Sequence, residues 1–343
     1  MKTFAHPDQA RHTPQFFLQR GLVRQNFEVP ARAAALEAAL HRMGLPPATP
    51  ASASRDSMMV VHSADYLDFL ATCMTAWEAL PTHGPEIVAN VHPVPEMVAQ
   101  GGLPSGNVIS QAGWFTADTA CPIGAGTWEA ILGAAGCALA AATEVAQGRS
   151  AYALCRPPGH HAYAARAGGH CYVNNSALAA QALIDAGAKR IATLDIDSHH
   201  GNGTQGIFWD RGDVLTISLH GHPDNYYPWF VGRTKERGAG AGDGRNMNMP
   251  LQHGTGDEGW LDALKYALAA IRDFKPDALV VPLGFDASKD EPLGALAVTE
   301  EGFARAGAMI AGLNLPTAIV QEGGYNVQII GTLLERFLGA WGK

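Results

Sequence analysis

The 343-residue sequence predicts an α/β protein: a single-domain, three-layer α/β/α arrangement around a mainly parallel sheet. Three observations predict it. From about residue 126 onward, apolar runs of strand length alternate with runs of helical length. The strand runs are apolar throughout rather than alternating, the mark of strands covered by helices on both faces. No composition break or internal repeat divides the chain, so residues 1–343 read as one domain.

The elements follow in order. Residues from about 30 to 75 read as helical, with ARAAALEAALHRMG stopping at Gly44. The stretch from about 76 to 124 is rich in Pro, Gly and Asn and has little periodicity. It reads as an extended loop that covers a site or forms an interface. A helix is expected over 127–147, a strand over 151–155 (AYALC), a helix over 175–187 and a strand over 190–197 (RIATLDID). A strand at 214–220 comes next, then a Gly-rich loop and NMNMPL, then a helix over 259–274 and a strand over 278–286. A helix starting at Thr299 precedes the last strand, 316–324.

Composition limits the function classes. Apolar residues make up 47% and charged residues 16%, which supports a large core and argues against disorder. The net charge is -8 with no basic stripe, so nucleic acid is not an expected partner, whereas a cationic substrate would suit it. The five cysteines (Cys73, Cys121, Cys137, Cys155, Cys171) show no C-x-x-C spacing, so neither a disulfide framework nor a thiolate zinc site is expected. MKTFAHPDQARHTP lacks the apolar stretch of a signal peptide, and AILGAAGCALAAATEVA reads as a buried helix rather than a membrane span. The expectation is a cytoplasmic protein with no membrane partner.

Chemistry concentrates at strand ends, where open parallel sheets bind their ligands. YALC runs into His160 and His161, and IATL runs into Asp195, Asp197, His199 and His200. LVVPLGF ends at Asp286, and AIVQ runs into EGGYN with Tyr325. Asp197 and His199, at i and i+2, share a face on an extended backbone. With Asp286 they can make a three-ligand site for a catalytic divalent ion, zinc or iron(II). His160 and His161 are the candidate bases for a water at such an ion. Asp195 can back one of them, and Asn202 can back the other without a charge. Tyr325, flanked by glycines and an asparagine, can donate to a developing oxyanion. His200 is assigned a structural hydrogen bond rather than a ligand role.

The blocks CRPPGHHA, GGHCYVNN, DIDSHHGNGTQ, TISLHGH, GFDASKDEPLG and QEGGYN, in that order, resemble the histone deacetylase and acetylpolyamine amidohydrolase family. The fold this implies is the arginase–deacetylase fold, with a central sheet of about eight strands. The N-terminal third is similar to bacterial polyamine-type members more loosely, through FEVPARA and GTWEA. The resemblance implies zinc on Asp197, His199 and Asp286, His161 as general base, His160 as its electrostatic partner and Tyr325 as transition-state donor. It also implies a structural potassium ion on Asp195, Ser218 and Leu219, with backbone oxygens of Asp197 and His199. A second monovalent site would use backbone oxygens near Phe208, Arg211, Val214 and Arg245. Gly169 would line the substrate channel, with Tyr227 and Leu293 near its mouth.

Three residues depart from the family pattern. Asn202 stands where some members have aspartate. His170 replaces the aromatic that usually forms one channel wall, which implies a more polar channel. Asp118 is the only acid near residues 105–120, where polyamine-specific members are expected to hold a distal ammonium. The implied function is zinc-dependent removal of an acetyl or short acyl group from a small N-acylated amine, an acetylpolyamine, in a homodimer. Acetyl-lysine peptides or another small amide are the alternative substrates. An arginase-type two-metal ureohydrolase would need a further carboxylate in a D-x-D pattern at the late strand, and GFDASKDEP lacks it. A non-catalytic binding module predicts a lost ligand or base, and none is missing.

Overall fold

The computed structural model describes residues 1–342. In chain order its strands are β1 (Lys2–Phe4), β2 (Phe16–Gln19), β3 (Leu22–Gln25), β4 (Ala151–Ala153), β5 (Ile191–Asp195), β6 (Val214–Gly221), β7 (Asn246–Leu251), β8 (Ala278–Leu283) and β9 (Thr317–Gln321). Its α-helices are α1 (Pro30–Arg42), α2 (Arg55–Met58), α3 (Ala64–Glu78), α4 (Pro95–Ala99), α5 (Val108–Phe115), α6 (Thr127–Ala146), α7 (Asn175–Asp185), α8 (Asn202–Ile207), α9 (Asp257–Phe274), α10 (Glu300–Ala311) and α11 (Ile330–Leu338).

Seven strands form one sheet in the order β1-β4-β9-β8-β5-β6-β7, every neighbouring pair parallel. The sequence implied about eight. The two remaining strands, β2 and β3, pair only with each other, in antiparallel register. They are joined by Arg20 and Gly21, with φ of 52° and 76°. Two consecutive positive φ values make the two-residue hairpin turn whose twist matches paired strands. Phe17 is buried on this hairpin while Leu22 and Val23 are exposed.

Helices cover both faces. On one, Leu36 of α1, Leu264 of α9, Phe303 of α10 and Phe337 of α11 pack on Leu194, Leu219 and Leu283 of the sheet. On the other, Ala138 of α6 and Leu183 of α7 pack on Ile191, Val280 and Val320. The long apolar helix α6 thus lies in the core, where the sequence placed it. A third cluster joins α3, α5 and α6, with the Phe69 and Phe115 rings stacked at 5.2 Å. The 76–124 stretch is therefore not one loop. It contains α4 and α5, each started by a local signal: Pro95 in the first turn of α4, and Asn107, whose side chain accepts from Ile109 N at 2.8 Å, at α5. Both helices are too short to show a periodicity.

Two histidines far from the strand ends are sealed in this core. Burial pulls His12 down to about 3 and His62 down to about 4. Both stay neutral in the folded chain well below their unfolded pKa of about 6.5. Above that pH neither state holds the proton and the residues have no pH-dependent effect. Below it the unfolded chain takes up a proton that the folded chain refuses, so each costs about 1.4 kcal/mol per pH unit until its folded pKa is reached. A His62→Gln variant does not titrate. Its stability deficit relative to the parent, measured by urea unfolding, is expected to shrink by roughly 2 kcal/mol between pH 6.5 and 5. A deficit that stays constant over that range would show that His62 is not buried neutral.

Candidate active site

Strands β4, β9, β8 and β5 are consecutive in the sheet, so the four reactive strand ends lie side by side along one edge. The turn after β4 carries His160 and His161. It is held by Glu322, a buried carboxylate just past β9 that accepts from Gly159 N (2.6 Å), His160 N (3.1 Å) and Ser176 Oγ (3.0 Å). Asn174 caps α7 through Ala177 N at 2.9 Å and donates from Nδ2 to Ala162 O at 3.1 Å, tying the same turn to that helix.

Asp197, His199 and Asp286 come together as the spacing predicts: one ligand atom from each lies within 4.8 Å of the others. Both carboxylates are fully buried. The backbone pins one oxygen of each away from free rotation: Gly323 N donates to Asp197 Oδ2 at 2.8 Å, and Ser198 N donates to Asp286 Oδ1 at 2.8 Å. A side chain at Gly323 would put a carbon 2.6 Å from Asp197 Oδ2, so only glycine lets that backbone approach. His199 Nδ1 stands 2.8 Å from Asp286 Oδ2 and 3.2 Å from Asp197 Oδ1. Burial alone would lower the His199 pKa, but Asp286 and Asp197 raise it to about 9. Two buried carboxylates facing one imidazole nitrogen demand positive charge at their centre. A divalent cation supplies it, and the two-oxygen, one-nitrogen donor set fits zinc or iron(II).

A second convergent trio, His160, Cys171 and Glu322, does not fit an ion. The Glu322 carboxylate is already committed to Gly159 N, His160 N and Ser176 Oγ, and burial pushes the Cys171 thiol well above its usual range, so it stays protonated.

The histidine pair divides by charge. Burial lowers the pKa of His160, but the Asp195 and Asp197 carboxylates more than reverse this and hold it well above the ordinary range. His161 is driven the other way, well below the ordinary range, by burial and by its neighbours His160 and His199. Asn202 Oδ1 sits 2.6 Å from His161 Nδ1. An oxygen there accepts the Nδ1 proton and leaves Nε2 as a free base. Asn202 therefore sets the tautomer without adding the charge that would turn His161 into a second imidazolium. His200 makes the structural contacts expected of it, to Gln205 Oε1 (3.0 Å) and Asn248 Oδ1 (3.1 Å).

These groups open on a cavity of about 540 Å³. His161, His199, Tyr325, Gly169, His170, Tyr227, Leu293 and Asp118 all line it. Gly169 has φ +52°, and a side chain there would meet His161 Cδ2 at 2.5 Å. His170 is buried against Phe17 (5.5 Å between rings) and Tyr325 (5.8 Å), and burial lowers its pKa to about 4. It is thus a neutral wall. Asp118 does not hang free in the cavity: it accepts from Ala120 N (2.8 Å), Gly169 N (3.1 Å) and Tyr227 Oη (2.6 Å). Its place is to brace the channel wall.

Asp195, Ser218 and Leu219 lie together, with Asp195 opposite Ser218 in the β5–β6 register. Asp195 Oδ1 accepts from Asp197 N at 3.1 Å, and Ser218 Oγ pairs with His220 Nδ1 at 2.8 Å. Of the more distant carbonyls, Phe208 O accepts from Arg211 N at 3.1 Å and Arg245 O accepts from Thr216 N at 2.8 Å.

Several site residues were not singled out from the sequence. Tyr226 stacks on the His199 ring at 4.3 Å and bonds Ser198 Oγ (2.8 Å) and Leu293 O (2.5 Å). Phe17 and Arg20 reach the cavity from the β2–β3 hairpin. Arg32 lies behind Tyr325, its guanidinium carbon 4.7 Å from the ring centre. It donates to Gly324 O (2.5 Å), Glu322 O (2.6 Å) and the buried Glu28 (2.5 Å), which also pairs with Arg156 at 2.8 Å. FEVPARA contains both Glu28 and Arg32 at i and i+4, a spacing that pairs opposite charges on a helix, and that was the available signal.

Comparison with known proteins gives the family. The histone deacetylase domain model matches residues 26–341. An acetylpolyamine amidohydrolase of Burkholderia pseudomallei is 46% identical over 344 residues, covering 100% of this chain and 99% of its own. Acetylpolyamine amidohydrolase 1 of Pseudomonas aeruginosa is 43% identical, covering 97% of both chains. The crystal structure of acetylpolyamine aminohydrolase from Burkholderia pseudomallei superposes with a TM-score of 0.95 at 45% identity, covering 100% of this chain and 98% of that one. The chain belongs to the histone deacetylase domain family, has its arginase–deacetylase fold, and is a hydrolase of amide bonds.

Proposed function

We propose that this enzyme removes an acetyl or short acyl group from a small N-acylated amine, an acetylpolyamine, with one zinc ion held by Asp197, His199 and Asp286. One observation carries the reading: His161, Tyr325 and His199, the last converging with the buried Asp197 and Asp286, all line one cavity of about 540 Å³. When bound, the ion acts as a Lewis acid that polarises the acyl carbonyl and lowers the pKa of water to about 7.

The chain's own residues do the rest. His161 Nε2 accepts a proton from the attacking water, since Asn202 keeps the other nitrogen protonated. His160, held cationic by Asp195, stabilises negative charge beside it and supports proton delivery to the leaving amine. Burial raises the Tyr325 phenol well above its usual range, so it remains a neutral donor aimed at the developing oxyanion. The structural potassium ion assigned to Asp195, Ser218 and Leu219 belongs to this reading. So does a dimer, for which the exposed Val91, Val94, Met97, Val98 and Leu103 of the 76–124 stretch offer an apolar face.

The substrate class is tested by kinetics on acetylputrescine, acetylcadaverine, acetylspermidine and an acetyl-lysine peptide. The full-length likeness to acetylpolyamine amidohydrolases leads us to expect kcat/KM for one of the small amines to exceed that for the peptide by at least about tenfold, or about 1.4 kcal/mol. A peptide that wins by that margin would make the enzyme a protein deacetylase instead.

A further inference from the structure

Tyr325 sits at the end of a run that cannot hold itself. Gly323 and Gly324 precede it, the latter at φ +111°, and neither has a side chain to pack. The ties come from outside, and two of them meet on one peptide unit. Gly324 O accepts from Arg32 Nε at 2.5 Å, and Tyr325 N, the other end of the same peptide, donates to Glu291 Oε2 at 2.8 Å and Oε1 at 2.9 Å. Glu291 also accepts from Asn326 N at 2.8 Å, and Asn326 Nδ2 donates to Asp290 O at 2.8 Å. The Arg32 guanidinium donates to the carbonyl and a Glu291 oxygen accepts from the N–H, so the peptide plane has one orientation in which both bonds are made.

We infer that Glu291 is a positioning residue that, opposite Arg32, locks the Gly324–Tyr325 peptide plane and so aims the Tyr325 hydroxyl into the cavity. The plane sets the Tyr325 Cα–Cβ direction, and among the described residues the Tyr325 hydroxyl has no hydrogen-bond partner to correct an error. Glu291 does not itself line the cavity and is not one of the ligand trio; it holds the backbone N–H groups of Tyr325 and Asn326. This inference rests on Tyr325 being the oxyanion donor.

The test compares four forms of the zinc-loaded enzyme on an acetylated diamine: the parent, Glu291→Ala, Tyr325→Phe and the double variant. Misplacing a catalytic group by about 1 Å costs on the order of 10²-fold. Glu291→Ala is therefore expected to lower kcat by about that factor and leave KM within about twofold. In the Tyr325→Phe background the same change is expected to cost nothing further. If Glu291→Ala does not fold, as judged by thermal melting, Glu291→Leu, which has no acceptor for Tyr325 N, carries the same comparison. A kcat within twofold of the parent for the single variant overturns the inference, and so does an equal further loss on top of Tyr325→Phe. A Tyr325→Phe enzyme with full activity instead overturns the role given to Tyr325, which is the separate claim.

Discussion

Replacing His161 by Ala is expected to lower kcat by roughly 10²–10⁴-fold with little change in KM, the range for losing a positioned general base. The argument runs through both ring nitrogens. Nδ1 faces the Asn202 oxygen at 2.6 Å, so Nε2 is left to take a proton. Burial and the adjacent cationic His160 keep His161 unprotonated, which is the state a base requires. A water molecule cannot inherit the role, because the tautomer and direction came from the Asn202 contact. His161→Ala with undiminished amide hydrolysis would turn the site into a binding pocket and return the chain to the non-catalytic reading. A progress curve on acetylputrescine, with melting temperature as the control for folding, decides it.

Substituting Asp286 by Asn is expected to have the second large effect, and in two opposite directions. Asn retains an acceptor for Ser198 N, which now stands 2.8 Å from Asp286 Oδ1, so the local fold should survive. It removes one of two buried negative charges that face a single imidazole. Bound metal should fall well below one per chain. Activity should fall by about 10³-fold or more, since a Lewis acid is worth several kcal/mol in such a site. Stripped of metal, however, the variant should melt higher than the stripped parent, because burial and the neighbouring Asp197 hold the Asp286 carboxyl above its ordinary pKa even against the help of His199, so the fold carries that charge at a cost. A stripped variant that melts lower would mean that the carboxylate pair is stabilised by the fold rather than tolerated for the ion.

Much of this arrangement was legible in the sequence because it is local. The order of strands and helices after residue 126 follows from runs of apolar residues, and each reactive residue lies at the end of such a run. Parallel pairing then brings those ends together, so Asp197, His199 and Asp286 could be joined across nearly ninety residues. What escaped depends on contacts with no local period. The hairpin that brings Phe17 to the cavity is announced only by Arg20–Gly21, and an Arg in a left-handed conformation is not a usual turn signal. Two short helices in the 76–124 stretch are each shorter than the window in which a 3.6-residue repeat shows. Asp118, the one acid near residues 105–120, does line the cavity, but its bonds to Ala120, Gly169 and Tyr227, which also brace the wall, carry no signal in the sequence. Glu322 and Arg32 act through backbone groups, which a sequence does not display.

The central claim is that one divalent ion, held by Asp197, His199 and Asp286, drives amide hydrolysis. Stripping the enzyme with a chelator, titrating zinc back and following both metal content and acetylputrescine hydrolysis tests it most directly. The account predicts no turnover in the stripped enzyme and a rise in rate that breaks at one zinc per chain. Full activity without metal, or a break at two ions per chain as a two-metal ureohydrolase requires, would contradict it.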